Sequence, residues 1–445
     1  MKNNSPLPAP PLGECHIPVA SPLQSAPPKG ERGGGFVMLI VRFILALTYL
    51  FSGVVKLIDP RGTQYKIEDY GAAFGISNLM PEGLPLTLAC ALGIIEFLMG
   101  IYLFFGIRRR LAATVSICFL LVMTPLTLYL ALNNPVTDCG CFGDALVLTN
   151  WQTFLKNIVL LTLSIIALRY YKLMPHFITK KNQWMVALYS FVYASVFVGY
   201  NIWRLPVIDF RPYYVGADIR KAWHDDQENF GQFQTTFILE KDGVQKEFAL
   251  EDYPDSTWTF VDSRTTEIEA PKRTGVGDLF IHDATTGNDL TQQILSSEGY
   301  TFLLVAPYIE KADDGVMGEL LSLYDFSQES GYDFYCLTSS GNEAIENWKE
   351  MTGAEYPFCT ADAVVLKTMI RSNPGLMLLH DGKVVGKWPS SALPEPSALK
   401  QQPEQEASTL GERIAGIMAW YILPLLFFLL IDGVGLAINR HKKSK

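Results

Sequence analysis

Apolar positions gather into six long runs along the chain, at 36–58, 84–106, 110–132, 151–169, 184–203 and 413–431. Each is about 19–23 residues, the length a helix needs to cross roughly 30 Å of hydrocarbon. Between the fifth and sixth runs the period changes. TTFILEKDGVQKEFALE is two alternating runs around Asp242-Gly243, a hairpin pattern. YTFLLVAPYI is a continuous apolar run, suited to a central strand buried on both faces, and YDFYCLTSS is a second. Helices are expected near 315–329, 342–352 and 361–371, and LMLLHDGKVVGKW closes as a hairpin turning at Asp381-Gly382. The pattern predicts a membrane α-helical bundle carrying a separate α/β domain.

Charge divides the chain along the same line. Residues 204–412 carry a net charge of −19, the remainder +10. Phosphate would be repelled by the acidic domain, so nucleic acid is excluded as its partner. The basic residues also predict an orientation. Arg108, Arg109 and Arg110 follow span two; Arg169, Lys172, Lys180 and Lys181 follow span four; Arg440, Lys442, Lys443 and Lys445 follow span six; Lys29 and Arg32 precede span one. Alternating connections put all four clusters on one face, which the positive-inside rule makes cytoplasmic. Both termini are then inside a cell (inner) membrane, and loops 59–83 and 133–150 and residues 204–412 are extracytoplasmic.

The expected organisation is a disordered cytoplasmic tail at 1–35 and a four-span membrane domain at 36–171. A fifth span at 172–203 and an extracytoplasmic domain at 204–390 follow. A Pro/Gln/Glu-rich linker at 391–412 leads to the sixth span and basic tail at 413–445.

Candidate chemistry sits between spans three and four, in NNPVTDCGCFGDAL. Cys139 and Cys141 are separated by one glycine, so a disulfide between them closes a small, strained ring, and Gly140 supplies the backbone freedom. Strain raises the reduction potential, favouring a bond that accepts electrons. Asp138 and Asp144 flank the pair, and their negative charge is expected to raise the thiol pKa. A structural disulfide across a tight turn and half of a metal site are the competing readings; a metal needs about four ligands, and no other His or Cys lies nearby.

Glu96 interrupts the second span. A mid-bilayer carboxylate needs a partner or a proton. Counting depth from the inner end of each apolar run pairs it with Arg42 and leaves Lys56 too far out, to snorkel toward the interface. Cys336 and Cys359 are a possible bridge in an oxidising compartment.

The membrane half resembles the DoxX-like family of four-span proteins, including its MauE-type redox-associated members. FSGVVKLIDP in span one, LGIIEFLMGIYLFFG in span two and DCGCFGD after span three carry the likeness over roughly residues 36–171. The resemblance implies membrane redox work on cysteines of exported proteins. From about residue 275, the element order, the Pro in SNPGLMLL and the DGKVVGKW ending look like the thioredoxin superfamily. That resemblance implies a cis Pro374 beside the family's active site. The family's Cys-x-x-Cys is missing, since APYIEKADDG stands in its place, so a degenerate binding module is expected.

Two functions follow as expectations. In the first, the chain is a membrane oxidoreductase or an accessory subunit of one. Its Cys-Gly-Cys pair exchanges electrons with a cysteine-containing exported or periplasmic protein, or with a quinone in the membrane lipid. In the second, it is a non-catalytic scaffold whose outer domain binds a protein. Transport of a small solute is disfavoured, because no broken helix or inverted repeat marks a substrate site.

Overall fold

The computed structural model describes residues 29–136, 138–228, 232–241, 244–249, 258–269, 274–405 and 408–443. The expected tail up to residue 28 and the Asp242-Gly243 turn lie outside the described residues. Among the described residues, six helices are long and apolar enough to cross a membrane, at each of the predicted places.

The membrane half is built from α1 (Lys29–Ile58), α2 (Pro60–Ala73), α3 (Leu84–Phe105), α4 (Arg109–Asn133), α5 (Asn150–Arg169) and α6 (Gln183–Trp203). Helix α1 begins ahead of the expected boundary at 36. The connection 59–83 is itself helical. Asp59 caps α2 by accepting from Gly62 N at 2.8 Å, and Pro60 fills the first helical position, where a missing N–H costs nothing. Thr149 and Gln152 form a reciprocal capping box that starts α5 on the same side. Helix α1 packs on α3 and α4 on α5. The lipid-facing positions stay apolar, as at Leu47, Val122 and Val196.

The second half continues with α7 (Ile219–Glu228), β1 (Gln232–Lys241), β2 (Val244–Ala249) and β3 (Thr259–Glu269), which form an antiparallel sheet in the order β2-β1-β3. Then follow β4 (His282–Asp283), α8 (Thr291–Leu295), β5 (Tyr300–Val305), α9 (Met317–Ser330), β6 (Asp333–Thr338), α10 (Asn342–Thr352), β7 (Phe358–Thr360), α11 (Ala363–Met369), β8 (Gly375–His380) and β9 (Lys383–Pro389). These strands make a mixed sheet in the order β4-β7-β6-β5-β8-β9, parallel across β5-β6-β7 and antiparallel at both edges. The continuous apolar run predicted as a central strand is β5, buried on both faces. Leu303 and Val305 point into one core, Phe302 and Leu304 into the other.

That alternation separates the two domain cysteines. Cys336 packs with Phe302 and Phe358 on one face of the sheet, Cys359 with Leu303 and Leu337 on the other. The bridge left open by the sequence is ruled out by the pleat. The expected linker is also revised. Residues Pro396–Gln401 form α12, Leu399 is buried against the sheet, and Gln405 N donates to Val385 O at 2.8 Å. The chain returns to the membrane only at α13 (Leu410–Lys443), whose Tyr421 stacks on Tyr189 of α6. The peptide bond before Pro374 is cis.

Candidate functional site

Two glycines bring α1 and α3 together. A β-carbon on Gly53 would collide with the backbone of Phe97, and one on Gly100 with Leu50. The resulting register sets Glu96 opposite the Ser52–Lys56 turn. Lys56 Nζ donates to Glu96 Oε2 at 2.8 Å and to Ser52 Oγ at 2.7 Å. All three side chains are buried. A buried ammonium and carboxylate are tolerated only when paired and hydrogen-bonded, and here each satisfies the other.

This pairing replaces the expected one. Arg42 lies more than two turns deeper, where it donates to Phe104 O at 2.8 Å and Pro175 O at 2.5 Å and stacks on Phe177. It closes the far end of α3 and never approaches Glu96. The depth count failed because the inner ends of the apolar runs are not level: α1 runs past the end of α3, so Arg42 stands beside the last turn of α3. Lys56, expected to snorkel outward, is 3% exposed and turned inward.

The Cys-Gly-Cys loop closes over this pair. Cys141 O accepts from Lys56 Nζ at 2.6 Å and lies 2.7 Å from Ser52 Oγ. Tyr70 OH donates to Cys139 O at 2.6 Å. Gly140 has φ +64°, a conformation that costs other residues energy, and its N–H donates to Asp138 Oδ1 at 2.8 Å. The two sulfurs lie 3.2 Å apart, in thiol–thiol hydrogen-bond contact. A bond between them needs an approach of only about 1 Å.

The electrostatics differ from those expected of two flanking aspartates. Asp138 is ion-paired with Lys66 at 2.7 Å and Asp144 with Arg371 at 2.9 Å. Their charge is thereby answered. Cys141 becomes the more acidic thiol: it accepts the hydrogen bond of Cys139, and the ammonium groups of Lys156 and Lys56 add to that effect against burial. The Cys139 thiol is pushed up by donating that bond and by burial. One sulfur is thus disposed to be a thiolate and its neighbour to hold a proton, the division of labour an attacking and a resolving thiol require.

Behind the sulfurs lies a cavity of about 270 Å³ inside the four-span bundle. Its walls are largely apolar, with Leu88 and Leu92 from α3 and Phe119, Met123 and Leu126 from α4. Its polar end holds Cys139, Cys141, Lys56, Glu96 and Lys156. Helix α2 roofs it. Thr63, Lys66, Ile67 and Tyr70 line the cavity, at the spacing of one helical face. Arg61, Gln64, Tyr65 and Glu68, on the other face, line a larger cleft of about 1180 Å³.

The second domain meets this site through Arg371 and through Lys367, whose ammonium lies over the Tyr65 ring of α2 and 3.9 Å from Glu68 Oε2. Arg371, between α11 and β8, reaches Asp59 Oδ2 and Asp144 Oδ2, both at 2.9 Å, and donates to Lys367 O at 2.6 Å. Burial alone would raise the Asp59 carboxyl, but Arg371 and Arg211 hold it below its usual range. Asp59 follows Lys56 by one turn, and Asp144 follows Cys141 in the next turn, so the guanidinium ties together the two segments that meet at the sulfurs. Pro374 itself is buried and does not line the thiol cavity; Ser372 and Asn373 beside it line the cleft.

Sequence reasoning identified Cys139, Cys141, Glu96 and Lys56 as polar or reactive residues in unusual places, without their connections. Ser52, Tyr70, Lys156 and Arg371 were missed. Ser52 had a signal, lying one helical turn from Lys56 on the same face. Arg371 had none, since 312 residues separate it from Asp59.

Residues 35–170 match the family described as Methylamine utilisation protein MauE, and residues 233–270 match one described as Domain of unknown function (DUF8463). No curated protein and no solved structure matches the chain. The sulfur pair, the Lys56–Glu96 pair and the cavity fall within the first match, so the region of this multi-pass membrane protein that resembles MauE is also the region that contains the candidate chemistry.

Proposed function

We propose that this chain is a membrane thiol–disulfide redox protein in which Cys139 and Cys141 form the working couple. The observation that carries this reading is the sulfur pair itself: two thiols 3.2 Å apart, one of them favoured as thiolate, with the Cys141 backbone held by Lys56 and Ser52. Inert structural cysteines have no need of that asymmetry. The description of the matched family, methylamine utilisation, supplies a context in which such a protein serves a redox process.

The partner on the aqueous side is a cysteine-containing exported protein. By the positive-inside argument, the loop bearing the pair and the domain at 204–409 are on the extracytoplasmic, periplasmic side, where disulfides persist. The second domain is thioredoxin-like in this reading. Its support is the β5-α9-β6 unit, the later helices and the antiparallel β8-β9 hairpin entered at Pro374. It lacks a dithiol of its own, because Ala306-Pro307-Tyr308 follows β5 and the two domain cysteines lie on opposite faces of the sheet. Its role is to dock, through Arg371, on the loop that carries the couple.

The test is capture. With Cys139→Ser or Cys141→Ser in the full chain, the remaining thiol is expected to retain an exported protein as a mixed disulfide, which mass spectrometry identifies. The missing dithiol in the second domain favours one alternative, a non-catalytic scaffold. Full complementation of a deletion strain by the double Cys→Ser variant, with nothing captured by either single variant, would select the scaffold.

A further inference from the structure

We propose that the cavity behind Cys139 and Cys141 is the binding site of an isoprenoid quinone, which enters from the bilayer and takes the electrons of the dithiol. This rests on the preceding reading and names the oxidant that reading lacks.

Four observations lead there. First, the cavity is built by helices that part. Only residues 106–108 join α3 to α4, yet Leu88 and Leu92 of one face Met123 and Leu126 of the other across open space. Leu88 lines the cavity and is also 45% exposed, on the apolar outer surface of a membrane-length helix. A hydrophobic molecule can therefore reach the site without crossing water. Second, the volume of about 270 Å³ is just below the roughly 300–1,000 Å³ of pockets that enclose whole drug-sized ligands. It suits a single substituted ring whose tail remains among the acyl chains. Third, polarity is concentrated at the inner wall. Lys156 Nζ sits 4.3 Å over the Phe142 ring and has no carboxylate partner among the described residues, so it is available to a carbonyl oxygen. Fourth, the sulfurs line the same space, so the electron donor and the occupant are in contact. An acyl chain would satisfy the walls but would leave Lys156 and the thiols with nothing to act on.

The reaction balances. The two thiols give up two electrons and two protons, an S–S bond forms between Cys139 and Cys141, and the two carbonyl oxygens of the quinone become the hydroxyls of the quinol. The quinol leaves to the bilayer, and the disulfide is ready to oxidise an exported dithiol on the aqueous side.

The experiment uses the full chain in nanodiscs, reduced, freed of reductant and mixed anaerobically with a short-chain ubiquinone, with ultraviolet absorbance and thiol counting as readouts. The expected result is loss of two thiols for each quinone reduced, at a rate that saturates with quinone, and no reduction by the double Cys→Ser variant. Leu92→Trp and, separately, Met123→Trp place a ring in the cavity and should slow reduction by about tenfold. Leu121→Trp, on the lipid-facing side of α4, should match the unaltered chain. A dithiol that equilibrates with glutathione but leaves the quinone untouched would overturn the proposal, as would unchanged rates in both cavity variants. If the pair does not equilibrate with glutathione at all, the redox reading fails first.

Discussion

Two buried lysines make nearly the same ion pair in the two halves of the molecule, and only one of them lines the candidate site. Lys56 meets Glu96 at 2.8 Å in the bundle; Lys387 meets Asp209 at 2.7 Å in the second domain. Lys387 also donates to Tyr213 O and Met369 O, and Arg211 to Thr368 O. The donors there end on Asp209 or on backbone in a packed core, where burial lowers the ammonium to about 8 and the two cations hold Asp209, against burial, at about 2. That triad ties the lead-in from α6 to the end of α11. The Lys56 pair instead faces a cavity and touches the carbonyl of Cys141. Burial and pairing alone do not distinguish function from structure; what lies on the free side of the pair does.

The comparison breaks most sharply by mutation. Lys56→Met should cost about 3–5 kcal/mol, because it strands a buried carboxylate, and Lys387→Met less, because Arg211 stays paired with Asp209 at 2.8 Å. Only Lys56→Met should also raise the pKa of Cys141, measured as alkylation rate against pH; an equal effect of Lys387→Met would erase the distinction. Arg371→Met comes next. It leaves Asp59 without its counter-charge and should weaken docking of the second domain by about 3 kcal/mol. Faster proteolysis at the junction, partly restored in Arg371→Lys, would register the loss.

Acid sharpens the contrast more gently. Asp209 has a folded pKa below its unfolded value of about 3.8, so its stabilisation is complete above that pH and disappears as pH falls toward 2. The second domain should lose about 2 kcal/mol across that window in denaturant titrations, an amount Asp209→Asn would forfeit at neutral pH. The smallest effect concerns the thiols. In the reduced chain Cys141 should alkylate with a midpoint below the ordinary thiol value of about 8.5, and Cys139 above it. Each unit of displacement is worth about 1.4 kcal/mol. Coincident midpoints would remove the asymmetry on which the redox reading leans.

Where the chain announced itself, it did so through local chemistry. The six spans are apolar length, β5 is an uninterrupted apolar run, and Cys139-Gly140-Cys141 is a spacing that invites sulfur chemistry. The site around it was not legible, because it depends on register. Gly53 and Gly100 decide which residues of α1 face which residues of α3, and no count along either helix reveals that contact. The charge around the sulfurs was read too locally for a related reason, and only Cys139 follows the expected direction. Asp138 and Asp144 are neighbours in sequence, whereas the cations that matter, Lys66, Lys156 and Arg371, arrive from three other elements.

The account rests on Cys139 and Cys141 acting as one two-electron couple. Equilibrating the full-length protein with glutathione buffers of graded potential, then trapping and weighing the thiols, measures this directly. Both thiols should disappear together at a single midpoint, with no mixed population in which one is oxidised alone. Thiols that stay reduced at every potential, or that titrate independently of each other, would contradict it.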